Sequence, residues 1–177
     1  MMGKFLLFLL FAWPAWAQEQ ATDPLTAAGC GPSNVQFDVK KDKNLHLTGQ
    51  AESGKALVYV FGDETREANV TYFSGPTVRL GVDGEWIGAT QYHSYFFFPV
   101  NPGEHHMCAG WQSNFARVAK IRAAASFTAE AGKVYYFRIV SEVRTKREPA
   151  VKIEPLDNAE GPLLIASSAM SISKTKK

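Results

Sequence analysis

Two short turns govern what this chain can fold into. Asp83-Gly84 and Asn101-Pro102-Gly103 punctuate the stretch Thr77 to Trp111, TVRLGVDGEWIGATQYHSYFFFPVNPGEHHMCAGW. Asp-Gly accepts positive φ at both central positions of a two-residue hairpin turn. In the second turn Pro presets φ and Gly supplies the left-handed position that follows. Between these marks the side chains alternate. Val78, Leu80 and Val82 point one way, and Thr77, Arg79, Gly81 and Asp83 the other, the period of a half-buried strand. Ser94 to Val100 is aromatic on both faces, with Pro99 ending its ladder or placing it at an edge. Glu104 to Trp111 reads as the next strand.

The same logic extends along the chain. Ala56 to Phe61 is apolar on both faces, as in a central strand. Ile121 to Glu142 reads as a second hairpin, with Ala123, Ala125 and Phe127 on one arm facing as a set and Tyr135, Phe137 and Ile139 on the other. Ala150 to Pro155 offers a last alternating strand, Val151 and Ile153 inward. Asp157-Asn158-Ala159-Glu160 has the form of a capping box, and Leu163 to Met170 fits one short helix. Short strands at regular spacing with Gly- and Pro-rich turns spell an all-β chain. The expectation is an antiparallel β-sandwich of about 7–9 strands with one short C-terminal helix.

Met1 to Ala17 stands apart. Lys4 precedes an apolar run from Phe5 to Trp13, and Ala15-Trp16-Ala17 gives the small-x-small pattern of a signal peptidase site. No later stretch approaches the roughly 20 apolar residues of a membrane-spanning helix. The expected organisation is a signal peptide over 1–17 and an extended lead-in over 18–53. A β-sandwich domain over 54–172 and a disordered basic tail over 173–177 complete it. The expected location is exported: the periplasm or outer envelope of a bacterium, or beyond it.

Charge argues against one class of partner. The chain has 19 basic and 17 acidic residues, and a nucleic-acid binder needs a concentrated basic face to neutralise phosphates. Arg144, Lys146 and Arg147, and Lys174, Lys176 and Lys177, are short clusters suited to a solvated loop and tail. The remaining partner classes are an envelope protein or a glycan.

Cys30 and Cys108 are the two cysteines. In an oxidising compartment they pair in only one way. Closing so long a loop is worth on the order of 4 kcal/mol in the chain-entropy picture. It would tether the lead-in to the central sheet. The competing reading takes Ala27-Ala28-Gly29-Cys30 as a weak lipobox. Asp23 and Pro24 break the required apolar run, and a lipidated Cys30 would leave Cys108 as a free thiol.

Set side by side, several segments resemble known families. Val82-Asp83-Gly84, Gly88, Thr90 and Pro102-Gly103-x-His105 resemble the PEGA-type surface module, with Gln91 where that pattern has Pro. GKALVYVF, VDGEWIGA, SYFFF, PGEHHMCA and AGKVYYFRI, in that order from Gly54 onward, resemble the bacterial domain-of-unknown-function family 2846. That resemblance implies a signal-bearing or lipoprotein-like envelope protein of small β-sandwich type. It implies no catalytic residues.

Candidate sites are few. Trp86, Tyr92 and Trp111 would make an aromatic platform for a sugar or a partner if they share an exposed face. The alternative is that they pack the core. His106, Glu104 and His93 are the candidates for a metal, imidazole being a common ligand. Adjacent strand residues point to opposite faces, so His105 and His106 do not chelate one ion together. No G-x-S-x-G elbow, Walker loop, C-x-x-C or H-E-x-x-H occurs. The expectation is a non-catalytic binding or structural protein with no cofactor. A carbohydrate-binding role is second and a metal-dependent activity third.

Overall fold

The computed structural model describes residues 28–67, 75–115, 117–144 and 148–177. The expected signal peptide over 1–17 lies outside the described residues, as do Lys146 and Arg147. Among the described residues ten strands and one α-helix follow in order: β1 Phe37–Asp42, β2 Ala56–Arg66, β3 Val78–Val82, β4 Glu85–Thr90, β5 Ser94–Val100, β6 Gly103–Trp111, β7 Arg122–Ala129, β8 Val134–Val143, β9 Ala150–Leu156, α1 Glu160–Ser167 and β10 Ala169–Thr175, with a single 3-10 turn at Val118–Lys120 between β6 and β7. They form a six-stranded sheet, β1-β10-β5-β2-β8-β9, and a four-stranded sheet, β4-β3-β6-β7.

The Asp83-Gly84 hairpin forms as its residues dictate, with φ of 51° and 89° joining β3 to β4. The second expected hairpin does not. β7 pairs with β6 in one sheet, while β8 pairs with β2 and β9 in the other. Glu130 to Lys133 therefore hands the chain across the core. Ala123, Ala125 and Phe127 meet Phe137 and Ile139 in one shared apolar cluster with both sheets. Complementary faces mark layers that pack as much as strands that pair, and alternation alone cannot distinguish the two.

The sheets are also not purely antiparallel. β2 runs parallel to β8 over ten register pairs, and β10 runs parallel to the start of β5. β2 has neighbours on both sides, which is why its two faces are apolar. Pro99 is accommodated because β10 pairs only with Ser94 and Tyr95. The flank beside Pro99 therefore carries no ladder from β10, and its missing N–H costs nothing there.

Two further expectations are corrected. The tail expected to be disordered over 173–177 contributes Ser173 to Thr175 to β10, paired with β1 from Phe37↔Thr175 to Asp42↔Met170. The lead-in is thus part of the six-stranded sheet rather than an appendage. Val35 to Val39 alternates as a short strand does, and β1 forms there and beyond, whereas the tail is too polar to announce a strand by hydrophobicity. Each becomes one because the other satisfies its backbone groups.

A second apolar cluster lies on the other face of the six-stranded sheet. Leu57, Tyr59, Phe61, Tyr95 and Ile165 form it, with Phe97, Tyr136 and Leu164 against them. The Tyr59 and Tyr136 rings stack at 5.3 Å. Tyr59 Oη accepts the Gly49 N–H at 2.7 Å and Tyr95 Oη donates to Leu47 O at 2.9 Å. The β1–β2 connection is thereby fixed over the same face as α1. Asp157 Oδ1 accepts the N–H groups of Ala159 and Glu160 at 2.8 and 2.9 Å ahead of α1. The Glu160 carboxylate turns to Arg138 instead of closing the expected capping box, and Ala169 and Met170, expected in the helix, belong to β10.

Candidate functional site

The central stretch uses its distinctive side chains to hold the N-terminal segment across the four-stranded sheet. Cys30 and Cys108 are joined, 78 residues apart in sequence, with Cα atoms 4.9 Å apart. Cys30 is therefore not a free anchor position. Cys108 lies on the face of β6 opposite Met107 and Ala109, which enter the core. On the same outer face, Trp86 Nε1 donates to Pro32 O at 2.7 Å. Arg79 donates from Nη1 to the carbonyls of Val35 and Ser33. Gln112 completes the strap, accepting the Phe37 N–H at 2.6 Å and donating to Phe37 O at 2.8 Å.

Arg79 has the least expected environment. Alternation places it on the outward face of β3, yet it is buried. Its guanidinium lies 4.3 Å from the Trp86 ring centroid, a cation–π contact. Burial, then the nearby Arg122, pull its pKa down from the ordinary arginine value. Two carbonyls and an indole face thus stabilise this charge. β3 is consequently buried on both faces, not half-buried, because the strap covers what a bare hairpin would leave to water. A side chain on Gly81 would run into Gly29 O at 2.6 Å, so the strap also needs the glycine. Arg79 and Gln112 were invisible as site residues. The only sequence clue is Gly81 and Cys108 lying on the same face as Arg79.

The aromatic platform does not assemble. Trp111 is 7 % exposed, in the core, and donates through Nε1 to Ser141 Oγ at 3.1 Å. Trp86 is committed to Pro32 and Arg79. Tyr92 alone stands out, 44 % exposed at the β4–β5 turn, its ring edge-on to His93 at 4.0 Å.

The histidines are likewise separated. His105 Nδ1 lies 2.6 Å from Asp83 Oδ2, and its Nε2 lies 2.7 Å from Asn101 O. Both partners only accept, so the ring donates from both nitrogens and is the imidazolium. Desolvation acts to lower the pKa of His105, but the Asn101 carbonyl and then Asp83 outweigh it, and the net shift is upward. For Asp83, partial burial acts upward, while the His106 N–H and then His105 outweigh it, and the net shift is downward. The pair borders a shallow groove of about 260 Å³ that Lys55, Glu85 and Ile87 also line.

His106 Nδ1 meets Ser126 Oγ at 2.8 Å on the outer face. His93 sits at the β4–β5 turn, and Glu104 is exposed near the start of β6. Among the described residues no three His, Cys, Asp or Glu side chains stand close enough to hold a metal ion together. Nor is any helix among them long and apolar enough to cross a membrane.

No curated protein and no solved structure matches the chain. A family profile does, over residues 52–151, from the turn before β2 to the second residue of β9. That span contains the hairpin, the Asp83–His105 pair, Cys108 and most of the shared core. The chain belongs to the family described as Protein of unknown function (DUF2846).

Proposed function

We propose that the protein is an exported, non-catalytic component of a bacterial cell envelope, acting as a binding or structural β-sandwich. The observation that carries this reading is the Cys30–Cys108 bridge. A bridge of this kind persists in oxidising compartments and is reduced in the cytosol. It agrees with the expected signal peptide over Met1 to Ala17, and the two together support a mature protein of the periplasm, outer envelope or medium. The sandwich reading is supported by one apolar cluster that draws on both sheets.

The non-catalytic part is supported by how the reactive side chains are engaged. His105 has an acceptor at each ring nitrogen, so neither is free to take a proton. Trp86, Trp111 and Cys108 are spent on the strap and the core. Of the aromatic surface considered for a sugar, Tyr92 is the residue that remains accessible.

The test is expression of the full chain in a Gram-negative host. Expected are recovery by osmotic shock, a mature N-terminus at Gln18, and thiols that react with an alkylating reagent only after reduction. Retention in the cytosol with residues 1–17 attached and free thiols would sink the reading.

A further inference from the structure

A second cleft, of about 560 Å³, opens where β1, β10 and β5 meet at one end of the six-stranded sheet. Lys41, Lys43 and His46 line one side, Tyr92 and His93 another, and Ser167, Ser168 and Ala169 the floor. Among the described residues that line it there is no carboxylate. Four cationic or protonatable groups thus converge on one depression of a chain with near-balanced charge.

Several of these groups are fixed by the fold. Lys41 Nζ donates to Tyr92 O at 3.1 Å, which brings one ammonium to the β4–β5 turn and leaves two of its protons free. His46 Nδ1 lies 3.1 Å from Ile165 O, so it carries the proton there and leaves Nε2 as the other ring nitrogen. That contact and the Ser168 N–H on Leu164 O satisfy carbonyls at the end of α1, which would otherwise repel an anion. The nearest acid in sequence, Asp42, accepts the Asn44 N–H at 3.0 Å and does not line the cleft.

His93 is likewise fixed by the fold. Its φ is 54°, a left-handed conformation uncommon for a residue with a side chain. The fold enforces it from both sides, since His93 N–H donates to Gly62 O at 2.9 Å and His93 O accepts the Ala169 N–H at 3.0 Å. This conformation sets the imidazole beside the exposed Tyr92 ring.

We propose that this cleft binds an anionic saccharide, a sugar unit bearing a carboxylate or a phosphate. Lys41 and Lys43 would hold the charged group, His46 Nε2 would accept from a sugar hydroxyl, and Tyr92 would present apolar ring surface to the sugar. The volume falls in the range of small-molecule sites and exceeds what a lone inorganic ion needs. The inference rests on the binding reading above and supplies its ligand class.

Calorimetric titration of the purified disulfide-bonded chain at low salt tests it, with glucuronic acid, glucose 6-phosphate, inorganic phosphate and glucose as probes. Expected is binding of at least one acidic sugar, loss with added salt, and no binding of glucose. Lys43→Glu should weaken that binding roughly tenfold or more. Tyr92→Ala should weaken the acidic sugar and leave phosphate unchanged. Both positions are exposed, so both variants should melt with the parent, which separates loss of the site from loss of the fold. No binding of either acidic sugar, or equal binding by Lys43→Glu, overturns the site. Phosphate binding as tightly as the sugars, unaffected by Tyr92→Ala, overturns the saccharide assignment. None of these outcomes bears on export or on the disulfide, which the fractionation experiment tests separately.

Discussion

His105 Nδ1 and Asp83 Oδ2, 2.6 Å apart, tie the tip of the β3–β4 hairpin to the first turn of β6. The aspartate is bound twice over, since its other oxygen accepts the His106 N–H at 2.9 Å. One residue thus supplies the left-handed turn position and the anchor of that turn to the neighbouring strand.

This relationship makes stability depend on pH in two directions. His105 has a raised pKa, so its contribution is complete below the unfolded value of about 6.5 and is lost as pH rises through the folded value. Asp83 has a lowered pKa, so its contribution is complete above about 3.9 and is lost as pH falls through the folded value. Thermal melts should therefore show both contributions in full between roughly pH 4 and 6.5. His105→Gln should flatten the alkaline limb, at a cost near 1 kcal/mol, because Asp83 is half-exposed and screened. An alkaline limb unchanged in that variant would refute the assignment.

The strap should be separable from the core. Replacing both cysteines by Ala should lower stability by about 2–4 kcal/mol. Limited proteolysis should then cut first within residues 28–36. Protection equal to the parent would show that Arg79, Trp86 and Gln112 hold the segment without the bridge.

Trp86 and Gly31 should fail together. A side chain at position 31 would collide with the Trp86 ring, so Gly31→Ala should displace the indole from Pro32 and Arg79. The expected cost is about 1–3 kcal/mol, with a change in tryptophan emission. An unshifted melt and spectrum would contradict the packing described.

Trp111 is expected to behave as a core residue. Trp111→Ala should cost about 3–5 kcal/mol. Trp111→Phe should cost about 1–3 kcal/mol, by leaving the Ser141 hydroxyl without its partner. A stable Trp111→Ala protein with altered ligand binding would reinstate it as a surface residue.

What the sequence determined by itself is local. Asp83-Gly84 fixes its hairpin because few other dipeptides accept positive φ twice. The double-faced apolar run Ala56 to Phe61 announces a strand with neighbours on both sides. Cys30 and Cys108 have only each other to pair with. Each rests on backbone sterics, side-chain period or counting, and none needs knowledge of what lies across the core. The tertiary structure decided the partners. It sent β7 and β8 to different sheets, because facing apolar sets pack across a core as readily as they share a ladder. It made a strand of the polar tail, because β1 offered it a complementary edge. It buried Arg79 under a strap contributed from more than 40 residues away, and that same long-range folding brought Lys41, His46 and His93 to one cleft. Alternation reports only which side of a strand a residue takes. Whether that side meets water, a strap or a second sheet is set by contacts remote in sequence.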